Sequence, residues 1–128
     1  IPSNSFSESE SFILYSFVHS LKRLVIGDDC FESVRLFELN ELTELESIEI
    51  RERSFTIGKD WDSIKTSKRA DGACRIVNCP KLKSIEIGDY SFADYHSFEL
   101  SNLPSFQSID IGNNCFDFAP FILTGTID

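Results

Sequence analysis

Cysteine and histidine are among the residues of this chain that could hold a metal ion or act as a nucleophile and its base. The 128-residue sequence has four cysteines and two histidines. The sequence has no Cys-x-x-Cys motif and no nearby pair of histidines, so a zinc site is a poor candidate. His19 and His96 have no nucleophile or carboxylate at a spacing typical of a catalytic triad. Glycine-rich nucleotide motifs and His-Glu-x-x-His are also missing. We therefore predict no enzyme activity, no metal and no other cofactor.

Three carboxylates have a spacing that indicates binding chemistry instead. Glu49, Glu86 and Asp110 each stand between two isoleucines in an Ile-x-Ile motif, and a serine stands two residues before each of them. If the motifs lie side by side, the carboxylates form an acidic column that a basic partner would neutralise. The serines would form a second column that lets a partner's backbone approach. The alternative interpretation is an ordinary solvated face, because like charges in water repel one another only weakly.

The Ile-x-Ile motif belongs to a larger unit that repeats along the chain. Its clearest part is a hexapeptide with an apolar first residue, three variable residues, Ser or Cys, and then Phe. The hexapeptide occurs at 1–6, 26–31, 50–55, 87–92 and 111–116. Successive starts are 25, 24, 37 and 24 residues apart, so one spacing carries a 13-residue insertion. The wider consensus is Leu-x-x-Ile-x-Ile-Gly-x-x-Ser-Phe-x5-Phe-x-Leu-x-x-Leu, and ten of the twelve phenylalanines fall on its positions.

Alternation within this unit predicts two short strands per repeat. Apolar residues recur at every second position in Ile-x-Ile and in Phe-x-Leu, which is the period of a strand. Gly27, Gly88 and Gly112 follow the first strand and indicate a turn where freedom from the Cβ restriction is useful. One repeat cannot bury its apolar face alone, whereas stacked repeats can, so we expect parallel sheets with little helix. Equivalent phenylalanines should form a ladder: Phe6, Phe31, Phe55, Phe92 and Phe116.

Two segments resemble the leucine-rich-repeat signature L-x-x-L-x-L-x-x-N-x-L. Residues 106–116 match it with Phe for the last Leu, and residues 82–92 are similar to the Phe-rich, BspA-like branch found in bacteria and single-celled eukaryotes. The resemblance covers nearly the whole chain. It implies a right-handed superhelix, or solenoid, that recognises proteins and has no catalytic activity. The sequence departs from the signature because its Asn is present only at Asn4 and Asn114, which argues against a continuous Asn ladder.

We divide the chain into five repeats of a single domain, each predicted to form one coil. The chain contains no Met, so we expect a fragment or a processed product of a longer protein. Neither end carries a polar cap, which predicts self-association through exposed strand edges. The repeats cover about 1–20, 21–44, 45–81 (with the insertion near 56–72), 82–105 and 106–128.

The insertion is the basic part of an acidic chain. It carries Lys65, Lys68 and Arg69 and has a net charge of +1, while the whole chain has −9. Insertions in repeat proteins protrude and often bind, although a tolerated surface loop is the simpler interpretation. Trp61 either fills the core or, if the insertion displaces it outward, anchors a partner.

The positions of the cysteines favour free thiols. Cys30 and Cys115 are equivalent residues three repeats apart, roughly 14 Å at strand spacing, whereas a disulfide needs Cα atoms within about 7 Å. Cys74 and Cys79 stand where other repeats have an inward-facing Phe and Leu, so we interpret them as small core residues. We predict four unpaired, buried thiols.

The overall charge narrows the class of partner. A net charge of −9 argues against nucleic acid and anionic membrane surfaces. No apolar run is long enough to span a membrane, and no signal peptide is visible, so the sequence does not indicate a compartment. We predict a scaffold that binds a protein partner, which would be basic if the acidic column is the site. The alternative is a structural spacer of a longer repeat protein with no partner of its own.

Overall fold

The described part of the chain consists of strands, turns and loops. A computed structural model describes residues 11–15, 20–31, 34–56, 72–92, 95, 97–113, 115 and 121–127. Within them there is no helix, and so none that is long and apolar enough to cross a membrane. The strands are β1 (Ser11–Leu14), β2 (Arg23–Ile26), β3 (Leu36–Asn40), β4 (Ser47–Ile50), β5 (Ala73–Val77), β6 (Ser84–Ile87), β7 (Ser97–Leu103), β8 (Ser108–Ile111) and β9 (Phe121–Ile127).

These strands form two sheets by strict alternation along the chain. The odd-numbered strands pair in the order β1-β3-β5-β7-β9 and are called the odd sheet here. The even-numbered strands pair in the order β2-β4-β6-β8 and form the even sheet. Every pairing is parallel. The predicted architecture of two parallel sheets is therefore confirmed.

Equivalent residues of neighbouring repeats stand opposite each other. In the even sheet Ile85 pairs with Ile48 on one side and with Ile109 on the other. In the odd sheet Cys74 pairs with Phe37 and with Phe98, so it holds a position that is Phe in the adjacent repeats. The insertion lies between Phe55 and Cys74 and leaves this register unchanged, because it is confined to the connection between two strands.

Stacked phenylalanines form the centre of the core. The rings of Phe31 and Phe55 lie 5.1 Å apart and are tilted by only 7°, and those of Phe55 and Phe92 lie 4.6 Å apart at 3°. All three side chains are buried. These three members of the predicted ladder are confirmed, whereas Phe6 and Phe116 lie outside the described residues. Offset aromatic stacking stabilises a core beyond simple burial.

The turn after each even-sheet strand holds residues in the left-handed region. Asp29, Arg53 and Tyr90, the fourth residues of their hexapeptides, have φ angles of 55°, 58° and 65°. The phenylalanine two residues later is also left-handed in each case. A residue with a Cβ is disfavoured there by about 1–2 kcal/mol. For the phenylalanines, stacking in the core offsets this cost.

The glycines of the same turn are needed for space. An added Cβ at Gly88 would lie 2.8 Å from the backbone carbon of Arg51, and one at Gly112 would lie 2.8 Å from the backbone nitrogen of Asp89. Neither glycine has a left-handed φ angle. The predicted turn is present, and Gly88 and Gly112 are needed there because they have no Cβ. These two glycines allow neighbouring repeats to approach closely. The left-handed φ angles of the turn lie at other residues, Asp29, Arg53 and Tyr90.

Tyr95 fills the core beside the insertion. It is fully buried, its ring packs edge-on against Phe92 at 5.0 Å, and its hydroxyl donates to the carbonyl oxygen of Val34. Val34 lies in the second repeat and Tyr95 in the fourth, so the hydrogen bond bypasses the repeat that carries the insertion. An added Cβ at Gly72 would lie 3.2 Å from the Tyr95 ring, so glycine lets the chain pass over it.

The four cysteines are free thiols. Cys30, Cys74 and Cys79 are buried, whereas Cys115 is half-exposed, so its predicted burial was wrong. Cys115 lies in the last even-sheet turn, and no later turn among the described residues covers it. Burial raises the pKa of the Cys74 thiol well above its usual range. Burial also raises the pKa of Cys79, and a hydrogen bond with the backbone of Leu42 opposes this shift.

Candidate functional site

The even sheet aligns the three carboxylates of the Ile-x-Ile motifs. Glu49 pairs with Glu86, and Glu86 pairs with Asp110. Glu86 and Asp110 are exposed and Glu49 is half-buried. Because neighbouring strands lie about 4.8 Å apart, three negative charges stand side by side in the predicted column. Val25 holds the same position in β2, so the column is acidic over three strands of four.

Arginines neutralise only one end of this acidic column. Arg23 Nη2 lies 3.6 Å from Glu49 Oε1, and Arg51 Nε lies 3.3 Å from Glu49 Oε2. The arginine side chains are 66% and 61% exposed, so each pair contributes at most about 1 kcal/mol. Within the part of the chain that the structure describes, Glu86 and Asp110 have no ion pair. The uncompensated charge therefore lies on β6 and β8.

The acidic column borders a groove of about 620 Å³ at the carboxyl ends of the even-sheet strands. The turns after these strands add Asp28, Glu52 and Asp89 to its lining. Arg51 is the one cation among the described lining residues. Gly88 also lines the groove, and so exposes backbone there. The groove is thus strongly acidic and open to a segment of chain.

Two of the turn carboxylates are held by the fold itself. Asp28 Oδ1 accepts a hydrogen bond from the backbone N–H of Glu52 at 2.9 Å. Asp89 Oδ1 accepts one from the N–H of Asn113 at 2.8 Å. Each carboxylate therefore ties its turn to the next one and is fixed in place at the groove. Glu86 has no such structural task among the described contacts.

The serine column that the sequence predicts is also present. Ser84 pairs with Ser47 on one side and with Ser108 on the other. These residues stand two positions before the carboxylates on the same strands, so the two columns run in parallel. Ser108 is exposed and the other two are half-buried. Small side chains here leave the sheet surface open to a partner's backbone.

The odd sheet carries charges that form ion pairs with one another. Glu38, Arg75 and Glu99 align in one column. Arg75 Nη1 donates to Glu38 Oε1 at 2.9 Å, and Arg75 Nε lies 3.5 Å from Glu99 Oε1. Glu38 is buried and also hydrogen-bonds the hydroxyl of Tyr15, which raises the pKa of Tyr15. Both carboxylates of this column therefore have an ion pair, unlike Glu86 and Asp110 of the even sheet.

The insertion residues cannot be placed against this groove. Trp61, Lys65, Lys68 and Arg69 lie outside the described residues. Cys74 holds the strand position opposite Phe98. Whether the four residues contact a partner stays a prediction.

The face contains residues that sequence reasoning missed. Asp28 and Asp89 follow Gly27 and Gly88 directly, and this recurring Gly-Asp pair after the first strand of a repeat was the available signal. No three His, Cys, Asp or Glu side chains of the described ranges are grouped so that they could hold a metal ion. The groove is an acidic surface of the even sheet. Comparison of the chain with known protein families, with curated proteins and with solved structures found no match.

Proposed function

We propose that this chain is a non-enzymatic scaffold of the leucine-rich-repeat type, in its Phe-rich, BspA-like form, coiled as a right-handed solenoid. Its function is to bind a protein partner in the groove of the even sheet. The observation that carries this proposal is the contrast between the two sheets. Arg75 forms ion pairs with both carboxylates of the odd-sheet column, whereas Glu86 and Asp110 stand side by side with no ion pair among the described residues.

The partner that best fits this groove is a basic segment in an extended conformation. Its lysines or arginines would replace repulsion within the acidic column by attraction across the interface. Opposite charges also steer encounter and make binding sensitive to salt. The serine column and Gly88 leave room for a backbone, and 620 Å³ lies within the usual range of binding pockets. The insertion follows Thr56, which is four residues after Glu52 of the groove lining. We therefore propose its residues Trp61, Lys65, Lys68 and Arg69 as additional contacts.

Selection of displayed random peptides on the immobilised chain tests this function. We expect enrichment of peptides rich in Lys and Arg. The variant that combines Glu49→Gln, Glu86→Gln and Asp110→Asn should bind the selected peptides about tenfold more weakly at low salt, at roughly 0.5 kcal/mol per exposed charge. Its affinity should also change less across a salt series, measured by fluorescence anisotropy.

A matched variant controls for net charge. Glu41→Gln, Glu44→Gln and Glu46→Gln remove three negative charges outside the groove lining, and this variant should bind as the wild type does. Equal binding by the groove variant across the salt series would show that the acidic column is only a solvated face. Absence of any enriched peptide would favour the alternative function, a structural spacer.

A further inference from the structure

Aspartates connect the turns that follow the even-sheet strands. Asp28 accepts the backbone N–H of Glu52 at 2.9 Å, and Asp89 accepts that of Asn113 at 2.8 Å. Acceptor and donor are equivalent residues of successive repeats, because each stands second after its strand. An aspartate at this position therefore satisfies the backbone N–H of the next repeat.

This series of contacts is interrupted at the backbone N–H of Asp89. The residue before it in the series is Glu52, whose side chain is one methylene group longer than that of aspartate. The Glu52 carboxylate pairs with Arg53 instead, with Oε2 lying 3.3 Å from Nη1. Within the described chain, the N–H of the half-buried Asp89 has no acceptor. A backbone donor that the fold leaves unpaired takes its acceptor from water or from a ligand.

The unpaired N–H belongs to the same groove as the uncompensated carboxylates. Asp89 and Glu52 line this groove together with Glu86 and Asp110. Neither Glu86 nor Asp110 has an ion pair among the described contacts. The groove thus offers one hydrogen-bond donor beside two negative charges. A free cation complements only the charges, whereas a basic peptide complements both, because every peptide residue carries a carbonyl acceptor next to its side chain.

The donor and the carboxylates are close enough for a single residue of a peptide. Asp89 follows Glu86 by three positions, which span at most roughly 10 Å of chain. Gly88 lies between them and has no side chain to keep a partner's backbone away. The long, flexible side chain of Lys or Arg can extend along this distance from a carbonyl held at Asp89.

We propose that the groove recognises the main chain of its partner, with the backbone N–H of Asp89 donating to a carbonyl oxygen of a basic peptide. The side chain beside that carbonyl then reaches Glu86 and Asp110. Glu52 determines this specificity, because an aspartate in its place would take the Asp89 N–H for the fold. The inference rests on the proposed function and defines the partner as a peptide. Main-chain hydrogen bonds supply affinity in other modes of peptide recognition as well.

Two ligands of equal positive charge test this inference on the intact chain. Acetylated tetralysine amide has main-chain carbonyls, and spermine has none. In proton–nitrogen NMR spectra at low salt, both ligands should shift the amide resonances of Glu86 and Asp110. The peptide alone should shift the resonance of Asp89 and slow the exchange of its amide proton with solvent.

Substitutions of Glu52 separate side-chain length from charge. Glu52→Asp keeps the charge, and its shorter side chain should accept the Asp89 N–H. It should slow exchange at Asp89 about tenfold and weaken tetralysine about fivefold, the value of one hydrogen bond. Its affinity for spermine should change less. Glu52→Gln keeps the length and removes the charge, so as a matched control it should weaken both ligands to the same degree and leave exchange at Asp89 fast.

The results distinguish this inference from the proposed function. An Asp89 resonance that stays in place while tetralysine moves those of Glu86 and Asp110 would overturn main-chain recognition alone. Equal weakening of tetralysine and spermine by Glu52→Asp would do the same. If neither ligand shifted any resonance of the groove, the proposed function and this inference would both be wrong. The wild-type spectra decide the question even if a variant fails to fold, which circular dichroism would show.

Discussion

The hydroxyl of Ser54 donates a hydrogen bond to the carbonyl oxygen of Gly27, in the preceding repeat, over 2.7 Å. The same hydroxyl oxygen accepts the backbone N–H of Cys30 at 3.1 Å. Ser54 is fully buried, so both backbone groups depend on it. Ser91 and Cys115 hold the equivalent position and reach the equivalent carbonyl of the repeat before theirs. The Ser or Cys of the hexapeptide thus joins each turn to the previous one.

Replacing Ser54 by alanine should lower the free energy of unfolding by about 1–3 kcal/mol, the cost of leaving buried polar groups unpaired. Ser54→Cys should cost less, because the thiol of Cys115 makes the corresponding contact. Urea denaturation followed by circular dichroism measures both values. Ser84→Ala, at a half-exposed serine, is the control and should change stability little. Equal stability of Ser54→Ala and wild type would contradict this role for the hydroxyl.

Tyr90 offers a substitution that should stabilise the protein. Its φ angle of 65° is strained for tyrosine, whereas Asn tolerates the left-handed region well. We expect Tyr90→Asn to raise the free energy of unfolding by about 1 kcal/mol. Tyr90→Val should lower it, because a β-branched side chain fits this conformation worst. If thermal and urea unfolding ranked the two variants in the opposite order, backbone strain would not govern this position.

The alignment of Glu49 with Glu86 could be predicted from the sequence, because equivalent residues of stacked repeats must face each other once the period is known. The role of Gly88 could not be predicted from the sequence. The backbone that crowds it, at Arg51, is 37 residues away, and local propensity contains no information about that approach. The hydrogen bond from Tyr95 to Val34 could not be predicted for the same reason. Its two residues are 61 positions apart in the sequence.

Asparagine shows the same limit in another way. The signature positions argued against a continuous Asn ladder, yet the structure has an amide ladder at a different corner. Asn78 Nδ2 donates to Asn40 Oδ1 at 3.1 Å, and Asn102 Nδ2 donates to Asn78 Oδ1 at 3.0 Å. Asn40 is the last residue of β3, Asn78 follows β5 directly, and Asn102 lies near the end of β7. Their recurrence was visible in the sequence, but the family signature directed attention elsewhere.

The thiols should differ in reactivity according to their burial. In the native protein, a water-soluble disulfide reagent should modify Cys115 first, since Cys30, Cys74 and Cys79 are buried. After denaturation without reductant it should detect all four. Absorbance of the released thiolate gives both the rates and the count, and Cys115→Ala should remove the fast phase. A fast phase that persists in this variant would contradict the burial pattern.

The buried thiols should also make stability depend on pH in the alkaline range. Burial raises the folded-state pKa of Cys74 above the value of 9.0 expected for an exposed thiol. Below that pH both states keep the proton and stability is unaffected. Above it the unfolded chain loses the proton and the folded chain does not, so the free energy of unfolding falls as pH rises. Cys74→Ala should be less stable but show a shallower decline in urea titrations above pH 9.0.

Arrays of repeats are often treated as chains of units that interact only with their nearest neighbours, so that structure can be lost one unit at a time. The hydrogen bond from Tyr95 to Val34 adds a term of longer range, because it connects the second repeat with the fourth. The third repeat cannot open without disturbing a contact that belongs to neither of its own surfaces. The two repeats that flank the insertion in sequence are thus coupled directly, and partial unfolding of either one should break this hydrogen bond.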